Sequence, residues 1–261
     1  KHVLPLYGSR DVQSLEAEDW LHIVDKHIEA KRYGAAKTLL GYVGGFYKSA
    51  QVHPLLRTLR NPMIGLTVHI PGNQPRKRVL SFREMKQVWY AFPENSNWQA
   101  VIRLLMLTGQ RIGNVLAMRW DRIDDGNWTV GAQGEMESKK GKHMLPVTPE
   151  MNVVIESMRG AHDKWVFAGY TTRHLSHGAI LQALHRYLEQ TGMERFTAHD
   201  LRRSFITHAN VAGLDYLGIK RVVHHSIGGV TETVYAHEQY LDLKRKVLED
   251  WTDLLRQKGV Y

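Results

Sequence analysis

The sequence predicts a mainly α fold with a small antiparallel β-sheet, arranged as a helical domain followed by an α+β domain. Three observations carry that prediction. Apolar residues recur at helical spacing along most of the chain, as in Trp20, Leu21, Val24 and Ile28, or Val247, Leu248, Trp251, Leu254 and Leu255. Strand-like runs cluster in one region, between Trp128 and Val147. The run from Pro71 to Val79 holds two prolines, a glycine and the triplet Arg76, Lys77, Arg78, a composition that breaks regular structure. The expected division is a helical domain over 1–70, a basic linker over 71–79 and a second domain over 80–261.

Residues 1–12 contain Pro5 and Gly8 and read as a loop leading in. The first helix starts near Glu16 and carries Trp20, Leu21, Val24 and Ile28 on one face. A second carries Leu39, Leu40, Val43, Phe46, Tyr47 and Ala50; Gly44 and Gly45 inside it lower helix propensity and permit close packing or a bend. His53-Pro54 ends it, and a short helical piece is expected over 55–60. These apolar stripes are core. Any contact with an acidic partner rests on Lys31, Arg32, Lys37 and Lys48.

Ser81 and Glu84 form a capping-box signature that opens the second domain, with a helix through Trp89. The next helix, 98–108, is apolar nearly all round and therefore buried. It runs into Thr108-Gly109-Gln110-Arg111, where a glycine turn sets Arg111 at the head of a further pattern, Val115, Leu116, Met118 and Trp120. After the Asp125-Gly126 turn come strand-like runs at 128–130, 135–138 and 143–147. The last two flank Lys139, Lys140, Gly141 and Lys142, a tight basic hairpin turn. Thr148 and Pro149 start a helix that reaches Met158. Trp165, Val166 and Phe167 form a buried piece, Thr171–His174 a polar loop with Arg173, and Ser176 caps a helix ended by Gly192. Residues 241–258 form a last amphipathic helix. It packs on its own domain or on a neighbouring copy, and the apolar stripe serves either.

Composition narrows the function. Of 261 residues 43% are hydrophobic, with mean hydropathy −0.37, and no window approaches the ~18 apolar residues that span a bilayer. Nothing at the start has the pattern of a signal peptide, although the chain begins at Lys1 rather than Met, as a piece of a longer protein would. Lys and Arg number 35 against 26 acids, a net charge of +9 that suits nucleic acid or a solvated basic surface. With no cysteine there are no disulfides or thiolate metal sites, which accords with a reducing cytoplasm. The 15 histidines form no His-Glu-x-x-His pattern, and adjacent helical residues such as His224 and His225 point apart. No metal and no cofactor are expected.

The chemistry concentrates between Phe196 and Tyr240. Thr197 caps a helix with Asp200 three residues on, and Gly213 marks its end. His199 and Arg202 share one face of it. Asp215 starts a second helix that delivers His224 and His225, and Tyr235 follows after Gly228-Gly229. Arginine donates two parallel hydrogen bonds to phosphate and stays charged. A tyrosine phenol, with an ordinary pKa of ~10, is a nucleophile once a base takes its proton, and histidine serves as that base or bonds the phosphoryl oxygens. Attack by the phenol conserves the ester, so a second hydroxyl can reverse it without ATP or metal.

The stretch resembles the tyrosine recombinases of bacteriophage and genomic-island integrase type. The family's His-x-x-Arg box stands here as His199, Asp200, Leu201 and Arg202. The tripeptide usually written Leu-Gly-His stands as Val223, His224 and His225, so His225 takes the family position. The resemblance implies a catalytic set of Arg111, Lys139, His199, Arg202, His225 and the nucleophile Tyr235. Tyr235 lies ten residues after His225 where nine is usual, which keeps Tyr240 in reserve. Thr108 to Trp120 is similar to the family's first arginine box, with Asn114 where Glu or Asp often stands. Lys139, with Lys140 as the alternative, is implied to reach the minor groove and protonate the leaving 5′ oxygen.

The resemblance further implies a core-binding domain over 1–70 and an α+β catalytic domain after it. Arg76, Lys77, Arg78, Lys140, Lys142, Arg173 and Arg203 are expected on DNA. The implied activity cleaves and rejoins strands through a 3′-phosphotyrosine, integrating or excising a mobile element. The implied partners are double-stranded DNA attachment sites, three further copies in a homo-tetramer, and accessory DNA-bending or excision factors. A resolvase, a topoisomerase-like strand-passing enzyme and a non-catalytic sequence-specific DNA-binding protein remain alternatives at this point.

Overall fold

A computed structural model describes residues 3–72, 77–131, 143–169, 173–225 and 240–261. The chain divides into two compact units, Lys1–Arg76 and Lys77–Tyr261.

The first unit is helical. Helix α1 (Leu4–Tyr7) and a 3-10 turn (Val12–Ser14) occupy the segment expected as a loop, since Pro5 is tolerated in a first helical turn. Helix α2 (Ala17–Glu29) starts where Asp19 accepts from the Glu16 backbone N–H, at 3.0 Å. Its buried face is Trp20, Ile23, Val24 and His27. Helix α3 (Tyr33–Ala50) buries Ala36, Val43, Tyr47 and Ala50 and runs through both glycines. Phe46, expected in the stripe, is 43% exposed because it sits one position off that register. Trp20 Nε1 donates to the Tyr47 hydroxyl at 3.1 Å, with the rings edge-on. Residues 55–60 are turns rather than a helix. Lys31, Arg32, Lys37 and Lys48 are all exposed.

The second unit begins on the expected capping box. Ser81 caps α4 (Phe82–Trp89), and Glu84 accepts from the Ser81 N–H at 2.8 Å. Ser96 caps α5 (Asn97–Thr108), buried along most of its length. Gly109 ends α5 with φ +58°, and a Cβ there would meet the Phe205 ring at 2.5 Å, so both backbone and space require glycine. Helix α6 (Ile112–Leu116) follows. Strands β1 (Ile123–Asp124), β2 (Asn127–Val130) and β3 (His143–Pro146) form one antiparallel sheet in order β1-β2-β3, with Trp128 opposite Leu145 and Val130 opposite His143. The expected strand at 135–138 and the turn holding Lys139, Lys140 and Lys142 lie outside the described residues. Helices α7 (Pro149–Glu156), α8 (His177–Thr191), α9 (Ala198–Val211) and α10 (Tyr216–Val222) complete the body with α11 (Leu241–Gln257).

Helix α11 packs on its own unit, one of the two dockings its stripe allowed. Val247, Leu248, Trp251 and Leu255 are buried among α5, α10 and β3. Trp251 Nε1 donates to the Met106 carbonyl at 2.9 Å, its ring edge-on to Phe205. Tyr261 stacks on Trp89 at 4.5 Å. Trp251→Ala should therefore lower stability by about 3–5 kcal/mol. Urea unfolding followed by tryptophan fluorescence and circular dichroism checks this; a change under 1 kcal/mol would mean that α11 is not part of this core. No helix of the described residues is long and apolar enough to cross a membrane.

Candidate active site

Helix α9 carries the first two site residues. Thr197 is its N-cap, and Asp200 accepts from the Thr197 backbone N–H at 2.9 Å and from its hydroxyl at 2.8 Å. That box fixes the first turn, so His199 stands exposed while Arg202, three residues on, points into the body and is 2% exposed. Deeper in the same helix Ser204 accepts from the Leu80 N–H at 2.8 Å and His208 meets the Leu80 carbonyl at 2.7 Å. The opening of the second unit is thereby anchored to the helix that bears the site.

Arg202 joins two distant turns. Its Nη1 donates to the Gly109 carbonyl and its Nη2 to the Val223 carbonyl, both at 2.6 Å. Gln110, beside Gly109, donates from Nε2 to the Val222 carbonyl at 2.5 Å. The turn bearing Arg111 and the end of α10 bearing His224 and His225 are thus bolted together through buried donors. A guanidinium has five N–H groups, so three remain for an incoming anion. Burial, and then the charge of Arg111, pull the Arg202 pKa down to about 10, which leaves it cationic at neutral pH. Arg111 itself is exposed at the N-cap of α6. Neither arginine has a carboxylate in ion-pair range among the described residues. Two cations held near each other in this way favour an anion between them.

His199 is pushed below the usual imidazole value by partial desolvation, then by the charges of Arg203 and Arg202. It is therefore the neutral imidazole at pH 7. An NMR titration should place its pKa below ~6.5, and Arg203→Ala should raise it. A value above 6.5 in the unaltered protein would contradict this account of its surroundings. His225 is exposed, and His224, at φ +50°, lays its ring 4.3 Å from that of His143 at the head of β3. Tyr240 is half-buried at the start of α11 with the Arg221 guanidinium 4.3 Å over its ring.

The structure brings together Arg111, His199 and Arg202, and ties Arg202 to the Val223 carbonyl two residues before His225. Tyr235, Lys139, Lys140, Lys142 and Arg76 lie outside the described residues. Two of the cations expected on DNA have partners inside the unit. Arg78 pairs with Glu84 and, at 3.4 Å, with Glu194, its side chain only 14% exposed. Arg203 pairs with Asp200 and donates to the Arg78 carbonyl at 3.4 Å. Both are fixtures of the domain as placed, whereas Lys77 and Arg173 are exposed. Sequence reasoning missed Gln110 and Lys244. The second was detectable, because Lys244 occupies the register of the apolar stripe of α11. Among the described residues no group of three histidines, aspartates or glutamates is placed to hold a metal ion.

A family model, that of the phage integrase family, matches residues 78–241. The chain belongs to this family. Among relatives of this phage integrase family chain, prophage integrase IntZ of Escherichia coli (strain K12) is 26% identical over 265 residues, covering 98% of this chain and 63% of that protein. The integrase of Shigella phage Sf6 is 22% identical, covering 98% of this chain and 68% of its own length. The chain thus spans about two thirds of these relatives. A lambda integrase dimer bound to a COC′ core site matches with TM-score 0.60 at 16% identity, over 87% of this chain and 84% of that one. XerH site-specific recombinase bound to difH substrate matches with TM-score 0.57 at 12% identity, over 85% and 69%. At these identities the structural likeness establishes the fold, that of the tyrosine recombinases.

Proposed function

We propose that this protein is a site-specific DNA recombinase of the integrase type, cleaving and rejoining strands through a 3′-phosphotyrosine. The observation that carries the reading is the pair Arg111 and Arg202, mutually charged, without carboxylate partners among the described residues, and held by the turns the family motif spans. A scissile phosphodiester is the anion such a pair suits. Tyr235 Oη attacks phosphorus in line; the Oη–P bond forms as the P–O5′ bond breaks. The phenolic proton leaves to solvent or a neighbouring imidazole, and Lys139 protonates the departing 5′ oxygen. The arginines stabilise the charge that builds on the non-bridging oxygens, which is where most of the rate is gained. No step needs a metal or a cofactor.

The first unit serves as the core-binding domain expected over residues 1–70, its exposed Lys31, Arg32, Lys37 and Lys48 available to backbone phosphates. Arg76 and exposed Lys77 in the linker, and exposed Arg173 with Lys140 and Lys142 in the catalytic domain, extend that contact. Exchange between two duplexes takes four cleavages and so four protomers. A lambda integrase tetramer bound to a Holliday junction is among the structures with this fold, at TM-score 0.60. Double-stranded attachment sites are the substrate, DNA-bending or excision factors the accessory partners, and the cytoplasm the place of action.

The test is a nicked suicide substrate carrying a candidate attachment site, incubated in EDTA. A covalent protein–DNA adduct is expected; a requirement for divalent metal in its formation would defeat the mechanism. The same assay tests Lys139. On a 5′-bridging phosphorothiolate, whose sulfur leaves without protonation, Lys139→Ala should recover most of its lost cleavage and Arg111→Ala should not. Equal failure of both would remove Lys139 from the acid role.

A further inference from the structure

Lys244 lies on the buried stripe of α11, in line with Val247, Leu248, Trp251 and Leu255, and only 3% of it reaches solvent. Its ammonium donates to the Met144 carbonyl at 2.8 Å. No carboxylate of the described residues lies in ion-pair range, and burial followed by the Arg221 charge pulls its pKa down to about 8. A buried cation with no counter-anion among the described residues costs stability, so packing within them does not account for it.

Its position does. Met144 is the second residue of β3, five positions after Lys139, and Lys244 comes nine after Tyr235. The Lys244–Met144 bond is therefore a direct tie between the chain just beyond the leaving-group lysine and the chain just beyond the nucleophile. Two contacts flank it. His143 lies against His224, and Arg221 covers Tyr240, so the ends of α10, β3 and α11 meet in one cluster.

We propose that Lys244 is a positioning residue for strand cleavage: by holding Met144 to the first turn of α11, it sets the separation between acid and nucleophile. The inference rests on the function proposed above. Displacing a reacting group by ~1 Å costs on the order of 10²-fold in rate. Because Lys244 grips β3 itself, the acid's side of the reaction bears the loss.

Lys244→Met keeps the stem and removes the donor and the charge. Its adduct formation on ordinary nicked DNA should fall on the order of 10²-fold. On the 5′-bridging phosphorothiolate most of that loss should disappear. DNA retention in a gel shift should be unchanged, and the melting temperature should match or exceed that of the unaltered protein, since a buried charge is gone. Rescue completes the test. The chain has no cysteine, so Lys244→Cys supplies a single thiol that can be alkylated in denaturant before refolding. An aminoethyl group rebuilds length and amine and should restore cleavage; a propyl group rebuilds shape alone and should behave as methionine does. The inference is overturned if Lys244→Met cleaves at the normal rate. It is equally overturned if propyl rescues as well as aminoethyl, or if both substrates lose rate in step with a lowered melting temperature. Absence of adducts from the unaltered protein would bring down the functional reading and this inference with it. Adducts from the unaltered protein and from every Lys244 variant alike would remove only the role of Lys244.

Discussion

Tyr235→Phe should yield no covalent adduct on a suicide substrate while binding the same DNA as tightly as before. The change removes one oxygen, and that oxygen is the atom proposed to bond to phosphorus. Nothing else in the reaction can replace it: water attack would give hydrolysis, which leaves no protein on the DNA. Tyr240→Phe is the matched control. Tyr240 opens α11 with Arg221 4.3 Å over its ring, a contact that phenylalanine keeps. Its loss of hydroxyl should therefore be mild. Denaturing gels with end-labelled DNA read both variants at once. Adducts that persist in the first and vanish in the second would transfer the nucleophile to Tyr240.

Arg202→Lys should be nearly as damaging to cleavage and, unlike the tyrosine change, should also weaken the fold. The guanidinium spans the Gly109 and Val223 carbonyls with two separate nitrogens. A lysine ammonium is a single point and cannot reach both while presenting a forked face to phosphate. One buried carbonyl is left unpaired, at a cost of about 2 kcal/mol. Loss of the charge-stabilising contact should cut cleavage by on the order of 10²–10³-fold. Denaturant unfolding and single-turnover cleavage separate the two effects. Normal stability with lost cleavage would mean that the carbonyl bonds contribute nothing to the fold. Normal cleavage would exclude Arg202 from the phosphate site.

Much of the second unit was legible because its helices announce their own starts. Ser81, Thr148, Ser176, Thr197 and Asp215 all stand as N-caps where the sequence places them. Local chemistry decides such positions, so local reading finds them. Pairing over long separations is different. Nothing near Gln110 signals that its amide will meet the Val222 carbonyl, 112 residues away. Arg78 and Arg203, expected on DNA, are instead paired over short separations, with Glu84 six residues on and with Asp200 one helical turn back. In the first unit, Phe46 fell on the wrong side because adjacent apolar residues 46 and 47 leave the register of α3 open by one position. Of the proposed site, the resemblance names His199, Arg202 and His225 from one stretch of short spacings and Arg111 from a separate box. The ties that hold them had no such pattern.

Gly109, Phe205 and Trp251 bear on how such a protein can change. A side chain at Gly109 would collide with Phe205, Phe205 lies edge-on to Trp251, and Trp251 is bonded back to the helix that ends at Gly109. The arginine turn is therefore set from within, by aromatic volume, and not by the residues that face solvent. Variation in the exposed basic surface leaves that joint untouched, so under the proposed function a change of DNA address need not disturb the reaction. A laboratory library built on this chain would do well to hold those three positions constant and spend its diversity outside.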